Sequence, residues 1–82
     1  MGCRDMITTE IKDISKPEGS EVEIYMDREG LSLLIKKLKA LESKGGHVHL
    51  MTPAWAGKEL NEKLIGEGNT LVNHLCLMLQ PD

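Results

Sequence analysis

The side chains best suited to binding a metal or moving a proton lie in two short segments, His47-Val48-His49 and His74-Leu75-Cys76. In an extended strand, residues i and i+2 project from one face about 7 Å apart. His47 and His49 would then form one pair, and His74 and Cys76 another. Imidazole and thiolate are good donors to zinc and its neighbours, and His-x-His plus a third histidine is a usable ligand pattern. A metal-binding protein built on His47, His49 and His74 is therefore one reading. The spacing does not make the two strands neighbours, and the plainer reading is a row of half-exposed histidines on a polar or partner-covered sheet face. On that reading no cofactor is required. Catalysis by histidine would need a substrate pocket and an orienting carboxylate. Asp13, Glu23 and Asp27 are present, but no spacing ties them to the histidines. Cys76 in a mid-strand apolar setting reads as an inert thiol. Gly66-Glu67-Gly68 lacks the flanking strand and helix of a dinucleotide-binding loop.

The elements that must position these residues follow from periodicity. Residues 5–14 alternate loosely and favour a strand. Ser15-Lys16-Pro17-Glu18-Gly19-Ser20 is turn chemistry. Residues 21–26 alternate clearly, with Val22, Ile24 and Met26 on one side and Glu21, Glu23 and Tyr25 on the other, as in an antiparallel hairpin with one wet face. Asp27 is a good N-cap, and Leu31, Leu34, Ile35, Leu38 and Leu41 fall on one helical stripe. Gly45-Gly46 supplies a left-handed stop, which predicts a helix over about residues 28–44. Residues 47–52 form the next strand, which Pro53 ends because it cannot donate to a ladder. The short connections around the helix favour a parallel, right-handed crossover. Residues 58–65 fit either a short helix or an edge strand. A last strand runs from about Thr70 to Gln80, with Val72, His74, Cys76 and Met78 on one face.

The predicted architecture is α+β: one helix packed on one face of a four-stranded mixed sheet, in the order β-β-α-β-β, making a single domain of residues 1–82. The sheet face away from the helix carries Tyr25, His47, His49, Met51, His74, Cys76 and Met78, and no second helix is available to cover it. Trp55 follows in a loop, either as a lid over the core or as an anchor for a partner. In a chain with one Trp, one Tyr and no Phe, the lid is the expected role.

Composition narrows the function. The formal charge of −3 disfavours nucleic acid as a partner, since such binding relies on Lys and Arg neutralising phosphates. No apolar run approaches membrane-spanning length, and no secretory leader is apparent. Two cysteines far apart in sequence suit a reducing, cytoplasmic setting. A core thin in aromatics favours self-association, which buries further apolar area.

The segment His47-Val48-His49-Leu50-Met51-Thr52-Pro53-Ala54-Trp55-Ala56-Gly57, with Val22-Glu23-Ile24-Tyr25-Met26-Asp27 before it and Val72-Asn73-His74-Leu75 after it, resembles the small immunity proteins numbered family 32 among bacterial polymorphic toxin systems. The resemblance covers residues 21–79, and His-x-His-Leu-Met-Thr-Pro-x-Trp is its most specific part. It implies a cytoplasmic protein that binds and neutralises a cognate toxin, with no catalytic residues. The expectation is a non-enzymatic binding protein that is dimeric through its open sheet face. His47, His49, Met51, Trp55, His74 and Tyr25 would carry the contacts. A small-ligand module with a pocket between Trp55 and the sheet is a further alternative.

Overall fold

A computed structural model describes residues 6–12 and 21–81. The turn expected at Ser15–Ser20 and the cysteine Cys3 lie outside them. The elements are β1 (Ile7–Ile11), β2 (Val22–Met26), α1 (Arg28–Lys44), β3 (His47–Met51), a 3-10 turn at Pro53–Trp55, β4 (Thr70–Val72) and β5 (His74–Met78). The fold is α+β, with one helix and five strands in two sheets. No helix among the described residues is long and apolar enough to cross a membrane.

Helix α1 follows its sequence signals closely. The Asp27 carboxylate accepts from the Gly30 backbone N–H at 2.7 Å and from that of Met6 at 3.2 Å, so the cap also ties the helix to the start of β1. Gly45 ends the helix with φ 73°, and its N–H donates to the Leu41 carbonyl. Left-handed backbone of this kind costs glycine little. Asp27→Ala should lower stability by about 1–2 kcal/mol, because both donors lose their acceptor. Urea unfolding would show this as a lower midpoint at unchanged slope; an unaltered midpoint would mean that the cap contributes nothing.

The sheets depart from the expected single mixed sheet. β1 pairs antiparallel with β2, as expected, from Ile7↔Met26 to Ile11↔Val22. On its other edge β1 pairs antiparallel with β4. β3 pairs antiparallel with β5 and belongs to a separate two-stranded sheet. The parallel crossover from β2 to β3 is thus replaced by a helix that links two antiparallel sheets.

The cause is a break at Asn73, where the one long strand expected over 70–80 becomes two. Val72 lies opposite Thr9, on the face of Ile7 and Met26, while Leu75 lies opposite Leu50. Met26, Leu50 and Leu75 all pack in the core. Residues three apart reach the same side only where the two-residue alternation is interrupted. Thr52 secures the break: its N–H donates to the Asn73 carbonyl and its hydroxyl to the Asn73 side-chain oxygen.

Residues 58–65 form neither helix nor strand. Leu60 is buried with Ile7 and Leu50 at the centre of the core, and Met26, Leu33, Leu34, Val48, Leu75 and Leu77 pack around them. The Leu60 N–H donates to the Met51 carbonyl and the Asn61 N–H to the Ile7 carbonyl. This single crossing of chain ties β3 to β1 where the sheets part. Fully burying each of Ile7, Leu50 and Leu60 contributes about 2 kcal/mol.

The apolar stripe of α1 is only half used. Its five residues cover an arc of about 120° at 3.6 residues per turn. Leu41 is buried and Leu34 packs on the core, but Leu31, Ile35 and Leu38 remain 42%, 44% and 44% exposed.

Candidate functional site

The alternation of β3 and β5 does bring the histidines together. With Val48 and Leu50 turned to the core, His47, His49 and Met51 take the opposite face, across from Met78, Cys76 and His74 respectively. His47 and His49 meet edge to face, with ring centroids 4.6 Å apart, and His49 lies 4.9 Å from His74. His49 Nδ1 and His74 Nε2 are 2.7 Å apart, a hydrogen bond in which one ring donates and the other accepts. Trp55 extends the row, its ring centroid 5.8 Å from that of His74.

Trp55 is not a lid over the core. It is 54% exposed. The turn that carries it is closed by the Trp55 and Gly57 N–H groups donating to the Thr52 carbonyl, and by Ala56 in the left-handed region at φ 67°. Glu62 accepts from the Ala54 N–H, and Glu59 accepts from the Met51 N–H at 3.1 Å. Glu59 also lies 4.0 Å from Lys37 on α1. These two carboxylates fix the turn relative to β3, and strand periodicity offered no sign of them. Trp55 leans on His74.

Tyr25 is held apart from the row. Its hydroxyl donates to Glu23, and its surroundings are Gly66 and Asn69. The centre of that second cluster is Glu10, which is fully buried. Its carboxylate accepts from the Ile65 N–H at 2.6 Å, the Gly66 N–H at 2.9 Å and the Asn69 amide at 2.8 Å. Glu10 stands opposite Glu23 across the β1–β2 ladder. Such a like-charge pair is unfavourable alone, and the Asn69 amide relieves it by donating to both carboxylates.

These bonds set the ionisation. Burial pushes the Glu10 carboxyl up, but donation from Ile65, Asn69 and Gly66 outweighs it and holds the group below the usual carboxylate value. The Tyr25 hydroxyl, then Asn69, lower Glu23. Burial raises Glu59, but the backbone donors at Met51, Glu59 and Lys58, together with Lys37, bring it below its usual value. All three shifts are downward, so their stabilisation is present above the unfolded carboxylate value and is lost as pH falls through the lower folded values. Stability should therefore hold at neutral pH and decline below about pH 4.5. Urea unfolding between pH 7 and pH 3 checks this, and a flat profile would contradict it.

The histidine row is poorly arranged for a metal. Two donors of one tetrahedral zinc ion lie about 3.3 Å apart, whereas His49 and His74 stand at hydrogen-bond distance. Among the described residues no group of three or more His, Cys, Asp or Glu side chains is placed to hold a metal ion. Among the described residues no carboxylate hydrogen-bonds a histidine ring; the ring nitrogen of His49 meets that of His74 instead.

No curated protein and no solved structure matches the chain. The model of the family described as immunity protein 32 matches residues 21–76. That match runs from the residue before β2 into β5, takes in His47, His49, Trp55 and His74, and covers more than half of the 82 residues. The chain belongs to the immunity protein 32 family.

Proposed function

We propose that this protein binds and neutralises a cognate bacterial toxin in the cytoplasm, stoichiometrically and without catalysis, through the row His47, His49, His74 and Trp55. Family membership supports the immunity role. The observation that carries the choice of surface is Trp55, which is more than half exposed. Four backbone N–H groups, those of Trp55, Gly57, Ala54 and Met51, are bonded to keep its turn in place beside the histidines. Tryptophan anchors are enriched where binding energy concentrates. Imidazole rings beside it supply donors and acceptors without a fixed charge. The formal charge of −3 favours a basic partner and speeds its capture.

The test is co-expression with the C-terminal toxin domain of a large secreted protein whose gene is found to adjoin this one. Growth arrest by that domain alone should be relieved by the wild-type chain and not by Trp55→Ala at equal expression. Continued arrest with the wild type would defeat the proposal. A surface given to the toxin is not free for a second copy, so self-association requires another face.

A further inference from the structure

We infer that the outer stripe of α1 is a homodimer surface, on which two copies of this chain pair their helices antiparallel about Ile35. The stripe consists of Arg28, Leu31, Ile35, Leu38 and Glu42, at the alternating three- and four-residue spacing that lines up along one side of a helix. Leu31, Ile35 and Leu38 are 42–44% exposed, although the sequence places them on the same apolar arc as the buried Leu41. The charges at the two ends select the occupant. Arg28 lies seven residues before Ile35 and Glu42 seven after it. A two-fold axis at Ile35 sets Arg28 of each copy beside Glu42 of the other, with Leu31 against Leu38 and Ile35 against its own counterpart. Parallel pairing would instead oppose Arg28 to Arg28 and Glu42 to Glu42. An isologous contact needs this kind of self-complementarity.

A second observation points the same way. The macrodipole disfavours a cation at a helix N-terminus and an anion near its C-terminus. Arg28 is the first residue of α1, and Glu42 lies in its last turn. Among the described residues neither has an ion-pair partner within the chain. Both charges oppose the isolated helix and suit the antiparallel pair. The seam from Arg28 to Glu42 is about 21 Å long, and it leaves the histidine–tryptophan face free.

Sedimentation equilibrium on the full chain, with no toxin present, tests this. The wild type should approach twice 9.1 kDa at about 100 μM protein. Leu38→Glu should sediment as a monomer with an unchanged circular dichroism spectrum. Arg28→Glu and Glu42→Arg should each weaken the dimer by about tenfold. The double variant should return to within about threefold of wild type, because the pairs are re-formed with their signs exchanged. Each reversal moves charge in the direction that the macrodipole favours, so a weaker dimer would not reflect a weaker helix. A mass of 9.1 kDa throughout, a dimer indifferent to Leu38→Glu, or single reversals that the double variant fails to rescue would each overturn the inference.

Discussion

Glu10→Ala should lower the thermal midpoint by at least about 10 °C, the largest effect expected of any single side-chain truncation here. The carboxylate is fully buried and is the common acceptor for Ile65, Gly66 and Asn69. Truncation leaves the Ile65 and Gly66 N–H groups without a partner and opens a space in β1, the central strand of the three-stranded sheet. An unsatisfied buried donor costs more than a made hydrogen bond returns. Asn69 would lose one of its two carboxylates and keep Glu23. The segment around Ile65–Asn69 should therefore detach first. Limited proteolysis should find new cleavage there, ahead of any cut in α1. Glu10→Gln keeps the size but turns an amide towards the donors, and should fall between the two. A midpoint for Glu10→Ala within about 2 °C of wild type would show that the clasp is dispensable.

Gly57→Ala should destabilise the protein by about 3 kcal/mol and shift Trp55. A methyl group at residue 57 would stand 2.5 Å from Met51 Cβ and 2.6 Å from the Met51 carbonyl carbon. Backbone atoms at the end of β3 cannot yield without loosening the ladder to β5. The Gly57 N–H also closes the turn on the Thr52 carbonyl, so displacement passes directly to Pro53–Trp55. Trp55 is the single tryptophan, and its emission reports the turn without interference. Urea unfolding should give the lower stability, and the folded-state emission maximum should move. Wild-type stability with unchanged emission would mean that the close approach is not rigid.

Local signals that depend only on neighbours along the chain were legible. Asp27 and Gly45 bounded α1, the alternation of residues 22–26 placed β2, and the two-residue spacing put His47 and His49 on one face. Features set by distant partners were not. The break at Asn73 lies inside a run that reads as uniform strand, and the hydrogen bonds from Thr52 that hold it span about twenty residues. That break splits the expected sheet in two and removes the parallel crossover. Leu60 and Leu64 are one helical turn apart, yet Leu60 enters the core alone while Leu64 stays 41% exposed. The intervening backbone bonds to Ile7 and Met51 instead of to itself. The burial of Glu10 gave no sign in the strand pattern, because a buried carboxylate is legible only once its donors at residues 65–69 are known. The apolar arc of α1 read as one stripe, and sequence does not show how much of such an arc the sheets cover. Trp55 read as a lid from scarcity of aromatics, whereas the bonded turn holds it outward.

Titration calorimetry of the purified toxin domain of a large secreted protein whose gene is found to adjoin this one, against the wild type and Trp55→Ala, tests the immunity role and its surface together. Binding of one chain per toxin domain is expected for the wild type, with affinity about a hundredfold weaker for Trp55→Ala at an unchanged melting temperature. No binding by the wild type would contradict the immunity role, and equal affinity for both proteins would remove the histidine–tryptophan row from it.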